Sequence, residues 1–261
     1  MKSVRPLPVT PILAALAVLA GCAGCGSDDV SATGAGSAST VHDDDGRTLV
    51  AALGDSITAG TPLWAADAAT REQIGPALDE RSQYEFWAAK ADPSLEFRNC
   101  GINGERTDQI ALRLEECVGA DGGAEGGGAA GGGDAGAADA LIVQGGINDI
   151  AQGRPVEDAA ADLRSMVERG KELGLAVAIV ELLPWNNGHP GADPEIEELN
   201  RLINGIGEDE GIPVMPWHEA LEDPREPGTM RADLTIEGDH PSVAGYRILG
   251  TKAFVPPEDA D

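Results

Sequence analysis

The chain has 261 residues, of which 42% are hydrophobic, so it is long enough to bury the core of one sizeable domain. Its 18 Lys and Arg are outnumbered by 45 Asp and Glu, which gives a formal charge of −27 at pH 7. Such a charge repels phosphate backbones and anionic lipid surfaces, and it therefore argues against nucleic acid as a partner.

The N-terminus has the pattern of an export signal. Lys2 and Arg5 precede an apolar run, Ile12–Ala20, that is too short to cross a bilayer as a helix. The run ends in Leu-Ala-Gly-Cys at residues 19–22, which resembles the lipobox of bacterial lipoproteins, where the signal is cut before a cysteine that then carries lipid. The resemblance implies that residues 1–21 are removed and that Cys22 anchors the exported protein to a membrane of the bacterial cell envelope. The alternative is an ordinary secretory signal that happens to precede a cysteine.

Residues 22–46 form a small, polar and acidic segment between the signal and the domain. The segment has too few apolar side chains to form a core, so we expect a flexible linker. His42 stands beside three aspartates at residues 43–45, a combination that could bind a metal weakly, but a solvated histidine is the favoured interpretation.

Residues 47–257 alternate strand patterns with helix patterns, as is typical of an α/β domain with a mainly parallel sheet. Continuous apolar runs mark strands that are covered on both faces. The sequence predicts strands at Thr48–Leu53, near Leu95–Asn99, and at Ala140–Gln144, Ala176–Leu182 and Ile212–Met215. It predicts helices at Thr107–Cys117, Val156–Leu173 and Pro194–Gly207, and a last helix after Pro241 that runs through Tyr246 and Leu249.

One segment interrupts this alternation. Gly119–Ala138 consists almost entirely of Gly and Ala and has no apolar side chain large enough to pack, so we expect a disordered surface loop. A glycine-rich phosphate-binding loop is disfavoured, because no Gly-Lys-Ser or Gly-Lys-Thr follows and the glycines have no defined spacing.

Cys100 and Cys117 lie within the domain and could form a disulfide, because an exported chain meets oxidising conditions. A straight helix of about 11 residues between them would carry the second cysteine about 16 Å from the helix start, so a bridge requires a bent connection. Two buried free thiols are the alternative.

Ser56 lies three residues after the end of the first predicted strand, in the stretch LVAALGDSITAG at residues 49–60. Ligands of open parallel sheets bind outside the carboxyl ends of the strands, and this position makes Ser56 a candidate nucleophile. On the tripeptide Gly-Asp-Ser alone, however, a serine that only caps the next helix is the favoured interpretation.

Three further stretches reverse that preference. They are NCGINGERT at residues 99–107, GIND at residues 146–149 and EGDHPS at residues 237–242. Together with GDSITAG, and in this order, they resemble the sequence blocks of the SGNH, or GDSL, hydrolase family over nearly the whole domain. The resemblance implies a three-layer α/β/α sandwich of the flavodoxin-like type, with a mainly parallel five-stranded sheet.

The resemblance also implies a role for each matching residue. Ser56 would be the nucleophile and His240 the general base. The backbone N–H groups of Ser56 and Gly104 and the side-chain amide of Asn148 would donate to the oxyanion. The chemistry is consistent with these roles, because a neutral imidazole can accept the serine proton and three preorganised donors stabilise a tetrahedral oxyanion.

One position departs from the family pattern, which has an Asp three residues before the histidine to orient its ring. Glu237 occupies that position here, and Asp239 directly precedes His240. A carboxylate three residues before the histidine can share a face with it on one turn, so Glu237 is expected to orient the imidazole. Asp239, or no acid at all, is the alternative.

The remaining candidates have weaker signals. Asp55 and Asp149 are expected to cap helices or bond turn amides, and His189 and His218 to be surface or core histidines. Four residues follow strand ends on the expected substrate side and could line an acyl pocket, or could simply pack in the core and loops: Trp64, Trp185, Asn186 and Asn187.

These observations favour a lipid-anchored, extracytoplasmic serine esterase that cleaves small acyl or acetyl esters, either carbohydrate or short-chain esters, and needs no metal or cofactor. A monomer is expected. The lack of a long apolar insert favours small soluble esters over bulk lipid. The alternatives are a lysophospholipase or lipase, a sugar O-acyltransferase, and a binding protein on the same fold whose catalysis has lapsed.

Overall fold

The computed structural model describes residues 46–119 and 136–257. The predicted signal peptide, the lipidation site at Cys22 and the linker up to residue 45 lie outside the described residues, as does most of the Gly/Ala insert. No helix in the two described ranges is long and apolar enough to cross a membrane. Within the same ranges, no group of three or more His, Cys, Asp or Glu side chains is arranged to hold a metal ion.

The centre of the domain is a five-stranded parallel sheet with the strand order β2-β1-β3-β4-β5. Alternate residues of β1 enter the two cores on opposite faces of the sheet, which explains why its sequence is apolar throughout. The predicted parallel sheet is confirmed. Its strands are β1 (Thr48–Gly54), β2 (Leu95–Gly101), β3 (Ala140–Val143), β4 (Ala176–Val180) and β5 (Val214–Met215).

Strand β4 ends two residues earlier than the predicted strand Ala176–Leu182. The backbone N–H of Leu182 donates to Oδ1 of Asn200 at 2.7 Å, and its C=O accepts from Nδ2 of Asn200 at 3.1 Å. A side-chain amide therefore takes the place of a neighbouring strand at this position.

Helices cover both faces of the sheet and form the outer layers of the predicted α/β/α sandwich. Helices α5, α7 and α8 pack on one face and α3, α9 and α10 on the other. The longer predicted helices are confirmed with small shifts at their ends. The helices are α1 (Ser56–Ala59), α2 (Ala68–Ile74), α3 (Tyr84–Ala91), α4 (Thr107–Ala111), α5 (Leu114–Val118), α6 (Ile147–Ala151), α7 (Val156–Glu172), α8 (Asp193–Glu210), α9 (Trp217–Leu221) and α10 (Val243–Leu249).

The predicted helix Thr107–Cys117 is broken into α4 and α5. Leu112 at the break is 87% exposed, and the next residue, Arg113, donates to the carbonyl of Cys100 at 2.8 Å and to the carboxylate of Glu105 at 2.6 Å. The break turns the chain back toward β2, and Cys100 and Cys117 form a disulfide with a Cα–Cα distance of 6.0 Å. The bent connection that such a bridge requires is therefore present.

Both ends of the predicted insert have defined structure. Gly119 ends α5 in the left-handed conformation, and Ala138 is buried, with its N–H donating to the carbonyl of Val118 at 2.9 Å. Arg98 also donates to the carbonyl of Gly136 at 2.7 Å. The insert therefore begins and ends at neighbouring points of the domain, and the prediction of disorder does not apply to these ends.

Two short hairpins near the C-terminus were not predicted, because three of their four strands have only two residues and the fourth, β7, contains Pro and Gly, so none shows a detectable alternation. The first pairs β6 (Glu222–Asp223) with β7 (Glu226–Met230), and the second pairs β8 (Thr235–Ile236) with β9 (His240–Pro241). The second hairpin carries His240 and so determines where the imidazole lies.

Replacing Glu85 by Gln is expected to stabilise the protein at neutral pH. Glu85 on α3 is 3% exposed, neither carboxylate oxygen has a partner among the described residues, and burial raises the pKa of this carboxyl well above its ordinary value. The folded state therefore keeps a proton that the unfolded chain releases, so stability falls as pH rises above the ordinary glutamate pKa, until the folded-state pKa is reached.

Glu85→Gln removes that loss and should raise the free energy of unfolding by about 1–3 kcal/mol at pH 8, with a much smaller gain near pH 4. Urea denaturation of both proteins at the two pH values measures the difference. Glu208→Gln, on an exposed part of α8, is the control and should change neither value. Equal effects of Glu85→Gln at the two pH values would contradict the assignment of Glu85 as a buried neutral acid.

Candidate active site

Ser56 is the first residue of α1 and lies two residues beyond the end of β1. The helix cap is the side chain of Asp55, whose Oδ1 accepts from the N–H of Ile57 at 2.9 Å. The Ser56 side chain is therefore not used as the cap, and its Oγ lies 3.1 Å from Nε2 of His240. The capping interpretation of Ser56 is wrong, because the preceding aspartate fills that role.

Gln144 fixes the turn that presents Ser56. Its Oε1 accepts from the backbone N–H of Asp55 at 3.0 Å and from Oγ1 of Thr58 at 2.9 Å. A Cβ on Gly54 would lie 2.5 Å from the same Oε1 and 2.3 Å from Oγ1 of Thr58, so only glycine fits there. Sequence reasoning missed Gln144, although a polar residue directly after the buried strand β3 was a signal that could have found it.

The expected oxyanion donors come from three separate elements near the carboxyl edge of the sheet. The N–H of Ser56 lies in the first turn of α1, and Gly104 lies in the loop between β2 and α4 with φ +77°, a conformation that favours glycine. Neither N–H has a protein acceptor among the residues that the structure describes. A Cβ at Gly104 would meet nothing within 4 Å, so the loop is open to a ligand.

Asn148 on α6 is the third expected donor. Its Nδ2 donates to the carbonyl of Glu105 at 2.9 Å and lies 3.4 Å from Oδ2 of Asp55. The short bond orients the amide, and the long one leaves its second hydrogen weakly engaged, next to the residue that precedes Ser56. This second hydrogen is the one available to a substrate oxygen.

His240 is half-buried, and its two ring nitrogens have different surroundings. With Nδ1 protonated, Nε2 accepts the hydrogen bond of Ser56, while Nδ1 is buried without a partner in the described chain. Burial lowers the pKa of His240 from its ordinary value, and the charges of Asp239 and Glu237 oppose that shift without cancelling it. The imidazole is therefore neutral at neutral pH and can accept a proton.

The structure does not form the expected bond between Glu237 and His240. The two residues stand on opposite sides of the turn of the β8–β9 hairpin and not on a helical turn, and Glu237 is exposed, with φ +62°. Asp239 is the better-held carboxylate, because its Oδ1 accepts from Nε1 of Trp185 at 2.6 Å and from Nδ2 of Asn187 at 2.7 Å.

The residues considered as an acyl pocket mostly brace the loop that carries His240. Trp185 and Asn187 hold Asp239, and the Asn186 side chain bonds both the N–H and the C=O of Met230, at 2.6 and 3.0 Å. Trp64 lies under the guanidinium of Arg71, 5.0 Å from the ring centroid. These contacts favour the packing alternative that the sequence left open.

The other acidic and basic candidates have structural contacts. Asp149 is fully buried and accepts from Thr107 and Arg154, while Asp55 caps α1, so both serve the structural roles expected of them. His189 pairs with Asp193 at 2.7 Å, and His218 lies half-buried on α9. Burial raises the pKa of the Asp55 carboxyl to about 6.

Comparison with known proteins identifies the family of this chain and solved structures of similar fold. The GDSL-like lipase/acylhydrolase family model matches residues 52–248, while a search of curated proteins gave no match. A lipolytic protein of the G-D-S-L family from Veillonella parvula is similar in structure, with 18% identity, a TM-score of 0.59 and coverage of 79% of this chain and 96% of that chain.

Two further solved structures share this fold. A GDSL-like lipase from Bacteroides thetaiotaomicron has 19% identity and a TM-score of 0.57, and covers 78% of this chain and 84% of its own. A catalytic mutant of an acetylxylan esterase from Geobacillus stearothermophilus has 21% identity and a TM-score of 0.56, with coverage of 78% and 91%. The chain belongs to the GDSL-like lipase/acylhydrolase family and is an SGNH-type hydrolase.

Proposed function

We propose that the protein hydrolyses small acyl esters, carbohydrate or short-chain esters, through an acyl-enzyme on Ser56. The observation that carries this proposal is the 3.1 Å contact between Oγ of Ser56 and Nε2 of a neutral His240, together with an open position at Gly104. A nucleophile within reach of a base, next to oxyanion donors, is the arrangement that acyl transfer requires.

In the first half of the reaction, Oγ of Ser56 attacks the ester carbonyl while His240 Nε2 takes its proton. The carbonyl oxygen becomes an oxyanion, which the N–H groups of Ser56 and Gly104 and the amide of Asn148 stabilise. The tetrahedral intermediate then collapses, and the His240 proton passes to the departing alcohol. Water repeats the sequence on the acyl-enzyme and releases the acid, which restores Ser56 and His240.

The substrate proposal has two supports. The acidic surface disfavours anionic phospholipid, and one protein of the same fold is named an acetylxylan esterase.

The lipobox-like residues 19–22 support a further proposal, that Cys22 carries lipid and holds the domain at the cell envelope.

Product analysis of the purified protein tests the activity. Incubation with acetylated xylo-oligosaccharide and with p-nitrophenyl acetate should release acetate, with no release by Ser56→Ala. Hydrolysis of a lysophospholipid alone would instead favour the lysophospholipase alternative. Transfer of the acetyl group to an added sugar in preference to water would favour the acyltransferase.

We propose that Asp239, more than Glu237, assists His240. The imidazolium that forms during proton transfer needs a nearby negative charge, and the carboxylate of Asp239 is held in place by Trp185 and Asn187, whereas Glu237 is exposed. Both charges raise the pKa of His240, with Asp239 the larger contributor.

Asp239→Asn is expected to lower kcat by about tenfold or more, and Glu237→Gln by much less, because Asp239 is the larger of the two charges that favour the imidazolium. Asp239→Asn should also move the acid limb of the kcat/KM profile to lower pH, since the imidazole loses a charge that favours its protonation. Asp55, with a pKa of about 6, is present in every variant, so the shift between variants reports on His240.

Kinetics from pH 4.5 to 8 on the wild type and both variants measure these effects. Asp233→Asn, an exposed carboxylate on the same segment, is the control and should match the wild type. A larger loss in Glu237→Gln, or an unshifted limb in Asp239→Asn, would return the role to Glu237 or to no acid.

A further inference from the structure

A cavity of about 340 Å³ lies beside the helix that carries Ser56 and has no role in the chemistry described so far. Its walls come from α1, the segment before α2, the end of β2 and helix α5 with the disulfide. The volume lies within the range of small-molecule binding sites, roughly 300–1,000 Å³. It is far more than an acetyl group needs.

The wall of the cavity includes none of Ser56, Gly104, Asn148 and His240, but it includes close chain neighbours of the first two. Ala59 in its wall is three residues after Ser56 on α1, a spacing that places two Cβ atoms about 5–6 Å apart. Ile102 and Asn103, also in the wall, directly precede Gly104, whose N–H is an expected oxyanion donor. These neighbours place the cavity close to a carbonyl bound at Ser56, within reach of a chain attached to that carbonyl.

The cavity wall suits an apolar chain. Ala59, Ala65 and Ala66 are small and buried, and Ile102 is a large apolar side chain that is 44% exposed at the wall. An exposed isoleucine beside a concave apolar surface gains free energy when a ligand covers it.

The charged and polar groups of the wall do not compete for that ligand. Arg113 already bonds Glu105 and the Cys100 carbonyl, and Asn99 bonds the carbonyl of Thr58 and the N–H of Gly101. The carboxylates of Asp67 and Glu116, which also line the cavity, repel an anionic ligand such as a free fatty acid. A neutral chain within an ester remains the fitting occupant.

We propose that this cavity binds a linear apolar chain of the ester substrate, longer than acetyl. The proposal rests on the ester-hydrolase function proposed above and adds the chain-length preference of the same site. The chain can belong to either half of the ester, the acyl group or the alcohol, and the two sources are separated by experiment.

Two substrate series test the proposal. The first varies the acyl group of p-nitrophenyl esters from acetate to octanoate, and the second varies the alcohol of acetate esters from ethyl to octyl. In one of the two series, kcat/KM of the wild type should rise by about threefold to fourfold for each CH₂ that enters the cavity, until the cavity is full.

Variants then locate the effect. Ala66→Leu fills the cavity and Ile102→Ser removes its exposed apolar wall, and both should flatten the rise in the series that shows it. Ile102 is on the surface, so Ile102→Ser is expected to fold even if Ala66→Leu does not. Ala69→Leu is the matched control, because Ala69 is exposed on α2 and outside the cavity, and it should leave the rise unchanged.

The outcomes separate this proposal from the proposed function. Hydrolysis of p-nitrophenyl acetate that is lost in Ser56→Ala supports the function whatever the chain-length result. Flat series in the wild type, or a rise that survives both cavity variants, would overturn the cavity proposal alone. No turnover of any ester by the folded wild type would overturn the function itself.

Discussion

Ser56→Ala is expected to lower kcat for p-nitrophenyl acetate by about 10⁴-fold or more. The substitution removes the oxygen that attacks the carbonyl and leaves the N–H of residue 56, Gly104 and Asn148 in place. The residual rate then comes from oxyanion stabilisation alone, which in serine hydrolases leaves about 10³–10⁴-fold over water. Steady-state kinetics on the purified variant measure the loss.

The fold should survive this change, because among the described residues the Oγ of Ser56 bonds only His240 and does not cap α1. Ser165→Ala, an exposed serine on α7, is the matched control and should keep the wild-type rate. A Ser56→Ala variant with wild-type kcat and an unchanged melting temperature would mean that another residue performs the attack.

Asn148→Ala is expected to lower kcat by about 10²–10³-fold, the usual effect of removing one oxyanion donor. KM should change little, since the oxyanion forms only in the transition state. The loss of the bond to the Glu105 carbonyl costs stability as well, so thermal unfolding of the variant should be followed in parallel.

Asn204→Ala provides the comparison for Asn148. The Asn204 amide bonds Glu181 and the carbonyl of Asn200 and, in the described part of the chain, none of the expected catalytic residues, so its removal should affect stability but not kcat. If KM rises in Asn148→Ala while kcat is unchanged, Asn148 binds the ground state and is not an oxyanion donor.

Much of the fold followed from apolar pattern. The run at residues 49–53 is apolar at every position because β1 is covered on both faces, and that burial is visible in sequence. The break between α4 and α5 could not be predicted from the sequence, because the residues around Leu112 are ordinary helix formers. What ends α4 is Arg113, whose guanidinium bonds the carbonyls of Cys100 and Gly54, and such tertiary contacts leave no local signal.

The candidate site, like the fold, could be predicted only in part from the sequence. The resemblance of four ordered motifs to the family's sequence blocks implied roles for Ser56, Gly104, Asn148 and His240, and the structure brings Ser56 and His240 into contact. The acid that assists His240 was harder to predict, because a spacing of three residues places two side chains differently in a hairpin than on a helix. Two-residue strands carry no alternation that could have revealed the hairpin.

The identity of Ser56 as the activated nucleophile is tested most directly by covalent labelling. A fluorophosphonate reacts with a serine that is activated by a base, and intact-mass and peptide analysis locate the adduct. We expect one adduct per chain on Ser56 of the wild type, with none on Ser56→Ala. A folded wild-type protein that stays unlabelled, or that is labelled on another residue, would contradict the account.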